Sequence, residues 1–235
     1  MRNSRWRSLY IFGGVAALTI AALLIGEIVV YALLPRASSA LEHFVVYREN
    51  WLVGLLTFDL LGMIAYLLFV PAILSLYFVL RRISESVMAV AAVFFFIGIA
   101  EFFATNTAFS MLTLSQQYAA ATTEAERATL LAAGQTMLTL FNENSFLVSY
   151  VIVSASWLMI SIIMLKSTIF SRITAWAGIL AGAAGIIAAV LEHVSAMQTV
   201  LTVSIVLYFA AVVFLFVWVV LVGRRFIQAG DAFAE

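Results

Sequence analysis

The chain has 235 residues, of which 65% are hydrophobic and only 10% are charged, and its formal net charge at pH 7 is zero. Soluble domains are about 45–50% apolar and about 25% charged, so this composition indicates an integral membrane protein with little mass outside the lipid. The balanced charge offers no basic face for nucleic acid, and the absence of cysteine excludes disulfides, thiolate metal sites and cysteine nucleophiles. Because the hydrophobicity extends over the whole length, we expect a single transmembrane domain over residues 1–235.

Six apolar stretches are long enough to cross a bilayer, whose core of about 30 Å needs roughly 20 helical residues. They cover residues 9–34, 51–80, 87–112, 137–165, 173–194 and 199–223. A lipid-exposed backbone must satisfy its own hydrogen bonds, which favours helices. The predicted fold class is therefore all-α, an integral membrane bundle of six transmembrane helices. The first stretch is longer than the roughly 7–15 apolar residues of a signal peptide, so we interpret it as an uncleaved span.

The basic residues predict the orientation of these spans. Threading six spans through a membrane places most of the basic residues on one side: Arg2, Arg5, Arg7, Arg81, Arg82, Lys166, Arg172, Arg224 and Arg225. The other side receives Arg36, Arg48 and Arg127. Because loops rich in Lys and Arg stay in the cytoplasm, both termini are predicted to be cytoplasmic.

Two of the predicted outer loops carry helix-start signals. Ser39 is followed three residues later by Glu42, and Thr123 by Glu126, which is the pattern of a capping box. The first signal predicts a short interfacial helix in the loop between spans one and two, with an apolar stripe of Leu41, Phe44 and Val45. The second predicts a helix over 124–133, in the loop between spans three and four, that ends near Gly134.

Span five carries two pairs of small residues four apart, Gly178 with Gly182 and Ala181 with Gly185. Such a face lets two helices approach closely in lipid. It fits either packing inside the same bundle or contact with a second copy or another membrane protein. In a protein with six spans, we favour the packing inside the bundle.

Acidic and amide side chains interrupt the apolar spans and define the candidate site. A carboxyl group in hydrocarbon costs several kcal/mol unless it is protonated, paired or hydrated, so such groups mark functional sites. Helical rise places the acids in the outer half of the membrane or near its middle, on five of the spans. Three arrangements would satisfy these groups: an aqueous cavity open to the outside, carboxylic acids hydrogen-bonded to Asn, Thr and Tyr partners, or a bound cation. The leading expectation is an acidic cavity that opens to the outside. Its candidate ligand-binding residues are Glu27, Asp59, Glu101, Asn106, Asn142, Glu143, Asn144, Glu192 and His193.

No catalytic, cofactor or metal motif is present in the sequence. It contains no His-Glu-x-x-His, Gly-x-Ser-x-Gly or glycine-rich phosphate loop, and its two histidines are His43 and His193. We therefore predict no catalytic residue, no cofactor and no metal ligand. A metal-assisted hydrolase built from His193, Glu192 and two further acids stays open as an alternative.

The segment from Asn106 to Gly134 resembles a known family, most specifically in the run YAAATTEAER over residues 118–127. The likeness continues through the link MLKSTIFSR at residues 164–172 and the glycine-rich fifth span. The family consists of small bacterial polytopic membrane proteins known only as a domain of unknown function. The resemblance implies a multi-pass protein of the bacterial cytoplasmic membrane with no assigned activity. It supplies no site residues, and Glu27 and Asp59 lie outside the matched segment.

The leading functional hypothesis is binding of a small cationic or amphipathic ligand, a cation or protons in the acidic cavity, with transport as its extension. In this interpretation the helix from Glu124 to Ala133 regulates access. One alternative is a non-catalytic accessory subunit that docks on a membrane protein partner. The other is the metal-assisted hydrolase, acting on lipid. The expected partners are the bilayer and a small ligand, with a membrane protein partner or a homodimer also open.

Overall fold

The computed structural model describes residues 6–34, 37–194 and 197–229, and every regular element in these ranges is helical. The elements are α1 (Arg7–Leu33), α2 (Ala40–Glu49), α3 (Trp51–Phe58), α4 (Leu60–Leu80), α5 (Glu85–Thr105), α6 (Ala108–Ala120), α7 (Glu124–Leu140), a π-helical segment (Phe141–Val148), α8 (Ser149–Met164), α9 (Arg172–Val194) and α10 (Gln198–Ala229). The all-α fold class predicted from the sequence is confirmed.

Five helical segments are long and apolar enough to cross a membrane. They are Arg7–Leu33, Leu60–Leu80, Glu85–Ala120, Arg172–Val194 and Gln198–Gln228. The remaining predicted span, residues 137–165, is divided among the end of α7, the π-helical segment and α8, and α8 alone has only 16 residues. The polar run at Asn142 and Glu143 falls within the π-helical segment. The count of six spans is therefore not confirmed by helix length and composition.

The long helices form a bundle in which each packs against two neighbours. The order of packing is α4, α1, α10, α9, α8, α5 and back to α4. Its core contains large side chains that are fully buried, among them Phe95, Ile160 and Trp218. On α9, Gly182 faces the backbone of α8 at Ser154 and Leu158. Gly182 thus permits close packing of α9 on α8 inside the bundle, which is the interpretation favoured from the sequence.

The helices α2, α3, α6 and α7 pack together at one end of the bundle, and we refer to them as the cap. The cap has its own apolar core, which includes Phe44, Tyr47, Phe58, Met111 and Leu138. The Tyr47 hydroxyl donates a hydrogen bond of 3.0 Å to the carbonyl of Ala108, which ties α2 to α6. The cap is therefore held by its own contacts as well as by its connections to the bundle.

The cap helices start where the sequence predicts. Ser39 accepts a hydrogen bond of 3.3 Å from the Glu42 amide, and Thr123 and Glu126 form a reciprocal capping box. The predicted end of the second helix near Gly134 is wrong, because α7 continues to Leu140. A Cβ on Gly134 would lie 2.6 Å from the ring of Phe44, so this glycine permits close packing of α7 on α2. Tertiary packing outweighs the local stop signal here.

The opposite end of the bundle collects most of the described basic residues, and we call it the basic end. It is formed by the start of α1, the end of α4, the α8–α9 link and the end of α10. Trp6 stacks on Phe78 with ring centroids 4.0 Å apart, and Arg225 Nε donates to the carbonyl of Ile169 at 2.7 Å. The basic residues at this end are Arg7, Arg81, Arg82, Lys166, Arg172, Arg224 and Arg225, whereas Arg48 and Arg127 belong to the cap. Arg2, Arg5 and Arg36 lie outside the described residues.

Candidate functional site

Three interruptions of regular α-helical structure meet at the boundary between the cap and the bundle. Asp59 separates α3 from α4, Asn106 and Thr107 separate α5 from α6, and the π-helical segment separates α7 from α8. Asn106 Nδ2 donates a hydrogen bond of 3.2 Å to Asp59 Oδ2. The Thr107 hydroxyl donates at 3.0 Å to the carbonyl of Met137, near the end of α7. One side-chain hydrogen bond therefore joins two of the interruptions, and a second connects Thr107 to the backbone of α7.

A cavity of about 680 Å³ opens at this boundary. Four parts of the fold contribute to it: the end of α1, the α3–α4 junction, the π-helical segment and the end of α9. Its lining residues are Tyr31, Asp59, Phe141, Asn142, Glu143, Glu192 and His193. Three of the seven carry a carboxyl group, and no lysine or arginine is among them. The sequence-derived candidates Asp59, Asn142, Glu143, Glu192 and His193 thus line a common space.

His193 has a defined hydrogen-bonding role in the cavity. Its Nδ1 lies 2.9 Å from the carbonyl of Ala189, which only accepts, so Nδ1 carries the proton that is donated. Its Nε2 lies 3.4 Å from Glu143 Oε2. A neutral ring with Nδ1 protonated presents a lone pair at Nε2, so a favourable contact needs a second proton, on Nε2 or on the carboxyl group. The lining therefore contains three carboxyl groups and a single imidazole.

Two side chains next to the cavity add to its chemistry. Glu27 lies one helical turn before Tyr31 on α1 and is close enough to Asp59 for the two carboxylates to repel each other. Tyr208 of α10 lies close to the carboxyl group of Glu192. Neither residue is among those that line the cavity, and each lies next to a residue that does.

Other candidates from the sequence occupy different positions. Asn106 reaches the site only through its hydrogen bond to Asp59. Glu101 is not among the lining residues of this cavity: its Oε1 accepts from the Thr105 hydroxyl at 3.3 Å, one turn further along α5. The side chain of Asn144 lies outside the described residues. No residue of the predicted helix over 124–133 is among the lining residues of this cavity. The π-helical segment that follows α7 contributes to the lining instead.

The sequence reasoning missed Tyr31, Phe141 and Tyr208. Each is an aromatic residue in or next to an apolar stretch, where aromatic residues commonly face the core or lipid. A phenolic hydroxyl inside a span is a usable signal, because a buried tyrosine usually finds a hydrogen-bond partner. Phe141 offers no comparable signal, since its role depends on the π-helical segment that turns it toward the cavity.

The acidic groups do not form a metal site. Within residues 6–34, 37–194 and 197–229, no group of three His, Asp or Glu side chains is arranged to hold a metal ion. The acids around the cavity are therefore spread over its wall. Such a wall suits an extended, diffuse positive charge better than a compact ion that needs several ligands at about 2 Å.

Comparison with known families finds a match over nearly the whole chain. A family model described as "Domain of unknown function (DUF4386)" matches residues 10–223, which include every described residue of the cavity. Searches of curated proteins and of solved structures found no match.

Proposed function

The chain belongs to the DUF4386 family, a domain of unknown function, and we propose that it binds a small amphipathic cation in the cavity between cap and bundle. Transport of that ligand across the bacterial inner membrane is the extension of this proposal. The observation that carries it is the convergence of Asp59, Glu143 and Glu192 on one cavity without a lysine or arginine. Fixed negative charge in a concave site raises the local concentration of cations.

The lining favours an organic cation over a metal ion. A volume of about 680 Å³ falls in the range of about 300–1,000 Å³ that small-molecule sites occupy. Tyr31 and Phe141 add aromatic surface beside the carboxylates, and aromatic faces attract organic cations. An amphipathic cation would use both features of the wall.

The membrane arrangement that we propose has six spans with both termini in the cytoplasm. The π-helical segment and α8 form a continuous helical stretch from Phe141 to Met164, which is long enough to serve as the remaining span. This stretch packs between α5 and α9, two helices that are each long enough to cross a membrane. The charge difference between the basic end and the cap gives the orientation by the positive-inside rule. The acidic cavity then opens to the periplasm.

The two alternatives from the sequence are less well supported. A metal-assisted hydrolase lacks a described set of three metal-binding side chains. An accessory subunit would use its small-residue face for docking, but the glycines of α9 already pack against α8 and α10. No observation on the described residues favours either alternative over the binding proposal.

The experiment measures binding of tetraphenylphosphonium to the purified protein in a neutral detergent by isothermal titration. Removing one carboxylate near a bound cation should weaken binding about tenfold, because one charge pair in a partly solvated site contributes on the order of 1–2 kcal/mol. We expect this loss for Asp59→Asn and for Glu192→Gln. Glu192 is exposed, so its substitution does not disturb packing.

The matched control is Glu85→Gln, which removes an exposed acid in the first turn of α5, at the basic end. The affinity of this variant for tetraphenylphosphonium should equal that of the wild type. The neutral analogue triphenylphosphine oxide should bind all variants equally. Unchanged tetraphenylphosphonium affinity in both Asp59→Asn and Glu192→Gln would refute the proposed site.

A further inference from the structure

A second cavity, of about 350 Å³, lies at the basic end between the start of α9 and the end of α10. Leu221, Arg224, Arg225 and Gln228 line it from α10, and their spacing of three and four residues puts them on one face of that helix. The α8–α9 link and the first turn of α9 supply the rest of the wall. No Asp or Glu is among the described lining residues, so the two arginines give this cavity a positive charge.

The two arginines of this cavity differ in how they are held. Arg225 Nε donates a hydrogen bond of 2.7 Å to the carbonyl of Ile169, in the α8–α9 link. This bond fixes the guanidinium group and leaves its terminal nitrogens for another acceptor. Arg224 is exposed, and among the described residues it has no hydrogen-bond or ion-pair partner. Both guanidinium groups are therefore available to an anion in the cavity.

A pair of hydroxyl groups adds donors to the same wall. Ser171 Oγ and Thr174 Oγ1 are 3.0 Å apart, and Ser171 Oγ also accepts a hydrogen bond of 3.1 Å from the Thr174 amide. Both residues line the cavity, although Thr174 is only 3% exposed. Whichever hydroxyl donates within the pair, the hydrogen of the other is left for a further acceptor. The pair is thus able to donate to an oxygen atom bound beside the arginines.

These donors fit the oxygen atoms of a phosphate group. Guanidinium groups bind phosphate through paired hydrogen bonds, and hydroxyl groups add single ones. Among the described residues the acid of this end is Glu85, at the start of α5, and α5 packs chiefly against α4 and α8. No described acid is therefore placed to neutralise the arginines of the cavity. Its volume also lies within the range of about 300–1,000 Å³ that small-molecule sites occupy.

The apolar surface at this cavity favours a lipid over a free phosphate ion. Phe170 and Leu221 also line the cavity, and such surface contacts the carbon atoms of a lipid but offers nothing to an inorganic ion. From its first turn onward, α9 exposes Ile173, Trp176 and Leu180, whose spacing of three and four residues puts them on one face. Because α9 is long and apolar enough to cross a membrane, this face suits acyl chains. Basic pockets between membrane spans bind the headgroups of anionic lipids.

We propose that the cavity between the α8–α9 link and the end of α10 binds the phosphate group of an anionic phospholipid. Arg224, Arg225 and the hydroxyl pair of Ser171 and Thr174 hold the phosphate oxygens, and the acyl chains lie along the exposed face of α9. The bound lipid connects α9 to α10 and stabilises the folded bundle, because it binds the native state. The site shares no lining residue with the acidic cavity, so it does not rest on the proposed function.

The experiment titrates the purified full chain, in a neutral detergent, with phosphatidylglycerol or phosphatidylcholine and measures bound lipid by native mass spectrometry. The wild type should bind phosphatidylglycerol about tenfold more tightly, because the choline cation cancels the charge that attracts the arginines. Arg224→Gln should weaken phosphatidylglycerol binding about tenfold by removing one charge pair. Thr174→Val keeps the shape of the side chain but removes its hydroxyl, and should weaken binding about fivefold.

The matched control is Lys166→Gln, which removes the same charge as Arg224→Gln. Lys166 is exposed and belongs to the α8–α9 link, but it does not line the cavity. The affinity of this variant for phosphatidylglycerol should equal that of the wild type. The proposal would be overturned by equal wild-type affinity for the two lipids, or by wild-type affinity in both Arg224→Gln and Thr174→Val. A loss in Lys166→Gln as large as that in Arg224→Gln would also overturn it, because net charge alone would then explain the binding.

Inorganic phosphate distinguishes a soluble ligand from a lipid. Added to the lipid-free protein, it should bind more weakly than phosphatidylglycerol, and at equal concentration it should not displace the lipid. Displacement of phosphatidylglycerol by equimolar phosphate would assign the site to a soluble anion and overturn the lipid. The same preparations separate this site from the proposed function, since selective lipid binding without tetraphenylphosphonium binding overturns only the proposed function. Tetraphenylphosphonium binding without selective lipid binding overturns only the lipid site.

Discussion

At the scale of single residues, His43 is a titratable group that the structure buries in the cap. It is 7% exposed, and its ring packs against Phe58 with centroids 5.2 Å apart. Burial lowers the pKa of His43 below its ordinary value, and the neighbouring charge of Glu42 opposes this shift only partly. The folded cap therefore favours the neutral imidazole.

The stability of the cap should fall in acid because of His43. When the folded pKa of a histidine is depressed, the unfolded chain takes up a proton first, so stability is full above the ordinary pKa of about 6.5 and is lost as the pH falls below it. Amide hydrogen exchange in the segment 40–49, corrected for intrinsic rates, should be faster at pH 5.5 than at pH 7.5.

His43→Leu should remove this pH dependence, and the matched control His193→Gln should retain it. An equal pH dependence of exchange in wild type and His43→Leu would show that another group is responsible.

At the scale of single residues, part of the site could be predicted from the sequence. Helical rise predicts Asp59, Glu143 and Glu192 in the outer half of the membrane or near its middle, and the structure has them around one cavity. Helical rise gives the depth of a residue but not the direction of its side chain. The helix that carries Glu101 is apolar on all sides, so its periodicity could not show that this residue stays outside the cavity wall.

Among the elements, helix starts were easier to predict than helix ends. The starts of α2 and α7 depend on local hydrogen bonds at Ser39 and Thr123, which a sequence motif encodes directly. The end of α7 depends on contact between Gly134 and Phe44, two residues far apart in the sequence. The interruptions at Asp59 and Asn106 are joined by a hydrogen bond between separate helices, which no local sequence motif predicts.

At the scale of the elements, we predict that the π-helical segment and α8 together cross the membrane. The chain contains no cysteine, so single cysteines can be introduced without a background. Thr139→Cys, at the end of α7, and Thr168→Cys, after α8, both replace exposed residues. We expect a membrane-impermeant maleimide added to intact cells to label Thr139→Cys at once and Thr168→Cys only after permeabilisation. Labelling of both cysteines from the same side would contradict the crossing.

At the scale of the whole molecule, charge is separated along the bundle axis. Basic residues gather where α1 begins and α10 ends, and the acids of the cavity lie at the opposite end, below the cap. Composition and the distribution of basic residues were enough to predict an all-α membrane protein with this polarity. The division into a bundle and a cap with separate cores was not predictable, because both use the same apolar residue types.

The central claim is that the cavity between cap and bundle binds an organic cation. The most direct measurement is a crystal structure of the protein with tetraphenylarsonium, whose arsenic atom can be located by anomalous scattering. We predict an anomalous peak between Asp59, Glu143 and Glu192, and its loss in Asp59→Asn. An arsenic site elsewhere on the protein, with the cavity empty, would contradict the account.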